Sequence, residues 1–266
     1  MAPWKQFFGT LWGLSYCIPV RKWRNWVRSE KLFGYGDKLN ALRRTFPDLD
    51  WKHFRLAKGG GSLAFIVGGR VFKIRKFHQR DDSVQRFNRE KRITDAIAPI
   101  LPIMVPHIDI FQIDEYTVYS TEFIPGRILL DLPMKKILAH RDEIGQSLGQ
   151  IIYTLFNARL PELDDMRPVD GDPNDTGMVH GDMCSNILVD PDTMKITGII
   201  DWEYSGFGSL RREFFGIFWV RRKMRLTDIA PTAMWEYYRL RDNNAPGRKG
   251  NKSVSAQGKK HEKKQK

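Results

Sequence analysis

The segment from residue 179 to residue 203 carries the side-chain types that phosphoryl transfer requires. Asp182 follows a His-Gly pair, Asn186 comes shortly afterwards, and Asp201 ends the apolar run Gly198-Ile199-Ile200. Transfer from a nucleotide needs one carboxylate for the attacking hydroxyl, and an amide and a second carboxylate for magnesium. Asp182 would therefore accept a hydrogen bond from the acceptor hydroxyl, while Asn186 and Asp201 would hold Mg²⁺. A β-hairpin with acidic ends is the competing interpretation, which the ordered combination disfavours.

The spacing inside this segment is unusual. Four residues separate the Asp from the Asn in kinase catalytic loops, whereas only Met183, Cys184 and Ser185 lie between Asp182 and Asn186. A shorter loop must turn more tightly, and a displacement of about 1 Å can cost on the order of a hundredfold in rate. The spacing therefore makes Asn186 the least secure of the predicted metal ligands.

A glycine turn, Gly59-Gly60-Gly61-Ser62, precedes this segment by more than a hundred residues. Consecutive glycines let a backbone turn approach phosphate oxygens and present its amides. No Lys-Ser/Thr pair follows and a strand comes next, so the turn is not a Walker-type phosphate loop. We predict that it contacts the nucleotide phosphates, with a plain hairpin turn as the alternative.

Lys73 lies in the otherwise apolar strand Val71-Phe72-Lys73-Ile74. A buried lysine without a partner is costly, and Glu90, seventeen residues later on a helix face, satisfies that need. In phosphotransferases such a pair holds the α- and β-phosphates, with the lysine as a point charge. Arg75 shares the same strand face and is the main competitor of Lys73 for this role.

The chain changes from a β-rich to a helical pattern near residue 124. Short strands follow Phe54, Gly68-Gly69 predicts a tight hairpin, and a helix is predicted from about Asp82 to Ile97. At the junction, backbone groups of Glu122 and Ile124 would read an adenine edge. The predicted ranges are an aromatic and basic segment (1–50), a nucleotide-binding lobe (51–124), a helical catalytic lobe (125–245) and a basic tail (246–266).

His-Gly-Asp at 180–182, Asn-Ile-Leu-Val-Asp from Asn186 and Ile-Ile-Asp-Trp-Glu around Asp201 resemble the aminoglycoside phosphotransferase family. The form Gly-Ile-Ile-Asp-Trp-Glu-Tyr-Ser-Gly-Phe-Gly is most similar to its fungal-type branch. The resemblance implies an α+β, two-lobed protein-kinase-like fold, with ATP and Mg²⁺ as cofactors and transfer of the γ-phosphoryl to a small-molecule hydroxyl. By the same match, Asp182 resembles the catalytic base, Asn186 and Asp201 the metal ligands, and Lys73 the phosphate-contacting lysine.

Positive charge is concentrated at the two ends of the chain. The formal net charge is +13, of which residues 1–31 contribute +5 and residues 246–266 contribute +7, leaving +1 for residues 32–245. A basic face on a folded core is therefore not indicated, which argues against a dedicated nucleic-acid-binding domain. The tail has the composition of a disordered segment, and its lysine pairs could be a nuclear address or contact an anionic surface.

The N-terminal segment and the two cysteines bear on location. Phe7, Phe8, Leu11 and Trp12 beside basic residues suit either an interfacial helix or a helix packed on the domain, and both remain open. No apolar run is long enough to span a membrane. Cys17 and Cys184 are isolated, which favours a reducing, intracellular and mainly cytoplasmic location.

Three functions compete on these observations. The first is an ATP-dependent kinase of a small hydroxylated molecule. The second is a catalytically weak or inactive pseudokinase-like binding module, which the short loop and the few residues after Asp201 favour. Few residues there would leave the acceptor site open, incomplete or completed by a partner. The third, nucleic-acid binding through the tail, has only charge in its favour.

Overall fold

The computed structural model of the 266-residue chain describes residues 34–58, 61–76, 80–166, 168, 176–218 and 229–244. The predictions for the N-terminal aromatic stretch, for Gly59 and Gly60, and for the basic tail lie outside these ranges.

The N-terminal lobe is built on a five-stranded antiparallel sheet with the order β1-β2-β3-β5-β4. The predicted hairpin between β2 and β3 is confirmed, because Gly68 and Gly69 have φ values of 53° and 74°, as a tight type I′ turn requires. The strands are β1 (Arg55–Lys58), β2 (Ser62–Val67), β3 (Arg70–Arg75), β4 (Asp109–Ile113) and β5 (Tyr116–Glu122).

Two helices complete this lobe. Helix α1 (Tyr35–Thr45) packs on one face of the sheet through Leu39 and Leu42. Helix α2 (Arg80–Ile97) begins two residues before the predicted start. Its predicted face is buried at Phe87, Glu90, Ile93 and Ile97, whereas Val84 is partly exposed.

The C-terminal lobe is mainly helical, as the sequence predicts. The apolar face of helix α4 is fully buried, and it consists of Ile144, Leu148, Ile151, Ile152 and Leu155. The helices are α3 (Met134–Ala139), α4 (Arg141–Phe156), α5 (Leu210–Phe218) and α6 (Ala230–Asn244). Short strands form two small sheets in this lobe: β6 (Arg127–Ile128), β8 (Ile187–Val189) and β9 (Ile196–Ile199) in one, β7 (Gly177–Val179) and β10 (Gly206–Gly208) in the other.

A common apolar cluster joins the two lobes. Ile93 and Ile97 of α2 belong to the same core as Leu148 and Trp202 of the C-terminal lobe. The sheet forms a separate core with Phe65 and Phe72. The predicted α+β, two-lobed protein-kinase-like architecture is confirmed. In the described ranges, no helix combines the length and the apolar character that crossing a bilayer demands.

Close packing of α4 against α6 depends on Gly149. A Cβ atom at this position would lie 2.5 Å from the carbonyl oxygen of Ala233 and 2.8 Å from Cβ of Glu236. We expect Gly149→Ala to lower the free energy of unfolding by about 1–3 kcal/mol through overpacking, which outweighs the gain of up to about 1 kcal/mol in helix propensity. Denaturant unfolding measures the change. Gln146→Ala, on the exposed side of α4, is the matched control, and equal stability of both variants would contradict the expectation.

Candidate active site

Two adjoining cavities form one cleft between the lobes. The first has a volume of about 430 Å³ and lies beneath β1, β2 and β3. The second has a volume of about 340 Å³ and is lined by charged residues of both lobes. Ala64 and Lys73 line both cavities, so the two spaces lie side by side. We call the first the apolar end and the second the charged end of the cleft.

The apolar end contains the predicted junction residues. Glu122 ends β5 and is exposed, Ile124 is buried, and both line this cavity. The remaining walls are mostly apolar and include Ala57, Ile66, Val71 and Leu188. Concave, mostly apolar sites with a few polar groups are typical binding sites for small molecules and cofactors.

Lys73 projects from β3 to the point where the two ends meet. Its Nζ lies 3.0 Å from Oδ1 of Asp201 and 3.9 Å from Oε1 of Glu90. Burial alone would lower the pKa of Lys73, but the carboxylates of Glu90 and Asp201 hold it above its ordinary value. The structure therefore brings together the predicted Lys73 and Glu90, with Asp201 as a third member.

Glu90 connects three elements around this lysine. Its Oε1 accepts a hydrogen bond from the Tyr119 hydroxyl at 3.3 Å and from the Trp202 backbone N–H at 3.2 Å. Burial raises its pKa, which the positive charge of Lys73 opposes. Tyr119 was not predicted, because its place opposite Lys73 in the sheet follows from the pairing of β3 with β5.

Asp201 has a left-handed backbone, with φ 65° and ψ 61°. For a residue other than glycine this conformation costs about 1–2 kcal/mol. The following residue secures it: Trp202 is fully buried, and its Nε1 donates to the carbonyl oxygen of Ile199 at 2.9 Å. The strained backbone directs the Asp201 carboxylate to Lys73 at the charged end.

The shortened loop after Asp182 closes as a single 3-10 turn, Met183–Ser185. The Ser185 hydroxyl donates to Oδ1 of Asp182 at 3.1 Å. The Asn186 side-chain amide donates to the carbonyl oxygen of Asp182 at 2.8 Å and lies 3.4 Å from its Oδ2. Asp182 and Asp201 are among the residues that line the charged end, and Asn186 is not. The tight turn thus directs the Asn186 nitrogen back onto Asp182.

The charge state of the loop follows from burial. Burial raises the pKa of Asp182, as does the nearby Asp201 carboxylate, while the Ser185 hydrogen bond acts in the opposite direction. His180 is fully buried, and burial lowers its pKa to about 4. Because its Nδ1 accepts from the Asp182 N–H at 3.2 Å, its Nε2 carries the proton that binds the Ile200 carbonyl oxygen at 3.0 Å. Neutral His180 therefore braces the loop.

Glu213, on α5, supports the same loop from behind and was not predicted from the sequence. Its Oε2 accepts the backbone N–H of Gly181 at 3.0 Å, and the side chain is buried. Burial raises its pKa to about 7, against the hydrogen bonds from the backbone of Gly181 and His180. The available signal was an acid directly before the apolar run Phe214-Phe215-Gly216-Ile217-Phe218.

Glu213 is expected to make stability depend on pH. Its folded-state pKa of about 7 lies above its ordinary value of 4.5, so its favourable contribution is complete below about pH 4.5 and is lost as the pH rises through about 7. Glu213→Gln should flatten the stability curve in this window, because the amide cannot ionise. Urea unfolding between about pH 5 and pH 8 measures this. An unchanged slope in the variant would contradict the assignment.

The donors in the cleft fit a magnesium ion that arrives with a nucleotide. In the described part of the chain, no group of three His, Cys, Asp or Glu side chains could hold a metal by itself. Mg²⁺ typically uses one or two carboxylates and completes its shell with phosphate oxygens and water. Asp201, with 44% of its side chain exposed at the charged end, suits that mode.

Similarity of this chain to known phosphotransferases agrees with this geometry. Residues 153–246 match the family model of the phosphotransferase enzyme family, which confirms the family resemblance predicted from the motifs. Among curated proteins, none matches the chain.

Solved structures share the fold at low sequence identity. Macrolide 2'-phosphotransferase MphH from Brachybacterium faecium is 16% identical, with a TM-score of 0.57 over 75% of this chain and 82% of the other. ADP-bound aminoglycoside phosphotransferase APH(2'')-Ib is 11% identical, with a TM-score of 0.58 over 77% and 83%. The streptomycin-ATP complex of APH(2")-IIa is 13% identical, with a TM-score of 0.53 over 77% and 83%.

Proposed function

We propose that this chain, which has the aminoglycoside-phosphotransferase fold and matches the phosphotransferase enzyme family over residues 153–246, moves the γ-phosphoryl of ATP to a hydroxyl of a small molecule. One observation carries the proposal. Lys73, Asp182 and Asp201 line one charged cavity that adjoins an apolar one, and Lys73 lines both. A nucleotide, which is apolar at one end and charged at the other, matches that division.

Each end of the cleft receives one part of the nucleotide. The adenine would occupy the apolar end, beside the backbone of Glu122 and Ile124. Gly61 and Ser62 border the charged end. They would approach the phosphates, and we propose the same role for Gly59 and Gly60, which precede them in the glycine turn. Lys73, positioned by Glu90, would contact the α- and β-phosphates.

Asp182 would accept the proton of the attacking hydroxyl. A bond forms between the acceptor oxygen and the γ-phosphorus, the bond from that phosphorus to the β,γ-bridging oxygen breaks, and ADP leaves. The Ser185 hydroxyl, 3.1 Å from Oδ1 of Asp182, occupies the place of an acceptor hydroxyl. The acceptor must displace this hydroxyl or share the Asp182 carboxylate with it, and the raised pKa of Asp182 makes the carboxylate a stronger base.

Asp201 and Asn186 are the proposed magnesium ligands. Together they would hold the metal, which when bound would supply positive charge against the negative charge that develops on the phosphates during transfer. Asp201 already faces the charged end, whereas the Asn186 amide nitrogen is engaged by Asp182. Asn186 would therefore reach the metal through its oxygen while its nitrogen holds the loop.

A catalytically weak binding module is the second candidate function. It is favoured by the hydrogen bonds that Ser185 and Asn186 make with Asp182, because they must be broken or shared before an acceptor can bind. This candidate retains nucleotide binding but has negligible transfer.

Phosphate transfer to a panel of hydroxylated small molecules, including aminoglycosides, macrolides, choline and simple polyols, tests the proposal. With MgATP or MgGTP, the expected result is ADP or GDP formation that one acceptor class accelerates, and an acceptor that gains one phosphoryl group by mass spectrometry. If the protein binds the nucleotide but transfers phosphate neither to an acceptor nor slowly to water, the binding module is favoured. Absence of nucleotide binding would overturn both candidates.

A further inference from the structure

Two cations of β3 make parallel ion pairs with one short segment of the C-terminal lobe. Lys73 Nζ lies 3.0 Å from Oδ1 of Asp201, and Arg75 Nη1 lies 3.2 Å from Oε2 of Glu203. The two cations are two residues apart and therefore share a strand face. Their partners Asp201 and Glu203 are likewise two residues apart, in the segment after β9. Arg75 and Glu203 are both about one-fifth exposed, so this pair lies inside the cleft.

Arg75 occupies a definite position along the cleft. Lys73 lines both the apolar and the charged end, whereas Arg75 lines the charged end and is not part of the apolar wall. Arg75 therefore lies beyond Lys73 when the cleft is followed from the proposed adenine site. A cation in that position would face the terminal phosphate of a nucleotide whose base lies at the apolar end.

The guanidinium of Arg75 also lies against the glycine turn. A Cβ atom on Gly61 would be 2.8 Å from Nη1 of Arg75. The missing side chain of Gly61 thus leaves the space that the guanidinium fills. Arg75 is held between backbone that is expected to approach phosphates and a carboxylate of the opposite lobe.

We propose that Arg75 is a second phosphate-binding cation that selects a nucleoside triphosphate over a diphosphate, with Glu203 as its partner when the cleft is empty. This inference rests on the proposed function. A guanidinium binds phosphate with two parallel, charge-assisted hydrogen bonds. A terminal phosphate entering the charged end takes Arg75 from Glu203, so the strength of that ion pair opposes triphosphate binding.

Binding of ADP and of a non-hydrolysable ATP analogue, measured by calorimetry at fixed Mg²⁺, tests the assignment. Arg75→Gln should weaken binding of the analogue by about 10- to 100-fold, the range of one or two charge-assisted hydrogen bonds, and change ADP binding less than about twofold. Arg75→Lys should recover part of the loss. Glu203→Gln should strengthen analogue binding, and this gain should vanish in the double variant Arg75→Gln/Glu203→Gln.

The possible results distinguish a failure of triphosphate selection by Arg75 from a failure of the proposed function. Equal weakening of ADP and analogue by Arg75→Gln would overturn triphosphate selection, and tighter analogue binding would make Arg75 a competitor of the nucleotide instead of a ligand. In both cases the proposed function stands, because ADP binding by the parent reports on it separately. Failure of the parent to bind either nucleotide would overturn both.

Discussion

Replacing Asp182 by asparagine is expected to reduce the rate of phosphoryl transfer by about 10²- to 10⁴-fold, the usual contribution of a positioned general base. The amide preserves the shape of the carboxylate but cannot accept the hydroxyl proton. Nucleotide affinity should change little, since Lys73, and not Asp182, is the lining residue that would hold the phosphates. The rate of ADP formation from MgATP, with and without acceptor, measures the loss.

Asp192→Asn is the matched control for this experiment, because Asp192 is an exposed aspartate in the turn after β8. It should retain the parent rate. An Asp182→Asn variant that forms ADP as fast as the parent would remove Asp182 from the base role, whatever its nucleotide affinity.

Lys73→Met has the largest expected effect on stability. It leaves the Glu90 carboxyl, 2% exposed, without the cation 3.9 Å away, and removal of one partner of a buried ion pair costs about 3–5 kcal/mol. Lys91→Met, which breaks a partly exposed pair with Asp95 on the same helix as Glu90, should cost at most about 1 kcal/mol. Denaturant unfolding near pH 8 compares the two.

The loss in Lys73→Met should depend on pH and on Glu90. Burial already raises the pKa of Glu90 above its ordinary 4.5, and without Lys73 it rises further. A raised folded-state pKa makes the protonated form the stable one, so the loss is smallest at low pH and grows as the pH rises through that pKa. The second change Glu90→Gln should recover much of the stability near pH 8. A loss in Lys73→Met that neither low pH nor Glu90→Gln reduces would contradict this account of the pair.

Patterns of neighbouring residues predicted several local features of the fold, while the two-lobed architecture was implied by the family resemblance. The Gly68-Gly69 hairpin, the buried face of α4 and the Lys73–Glu90 proximity all depend on local periodicity or on the electrostatic need of one buried charge. These predictions hold in the structure because burial of the apolar or charged side chains, which the patterns indicate, also stabilises the elements that contain them.

Other site features depend on how distant elements meet, which residue patterns do not encode. Tyr119 reaches Glu90 through strand register, Glu213 reaches Gly181 from a helix position 32 residues later, and Arg75 meets Glu203 across the cleft. The direction of the Asn186 side chain was not predictable either, since it follows from the 3-10 turn that closes the short loop. Its role as a metal ligand remains a prediction.

Magnesium-dependent stabilisation by ATP shows whether the cleft between the lobes binds a nucleotide together with a metal ion. In a thermal-unfolding measurement, ATP with Mg²⁺ should raise the melting temperature of the parent, because a ligand that binds the folded state stabilises it by mass action. The rise should shrink when EDTA removes the metal, and Asp201→Asn should show little difference between the two conditions. No stabilisation of the parent by ATP or GTP with Mg²⁺ would contradict the assignment of this cleft as a nucleotide site.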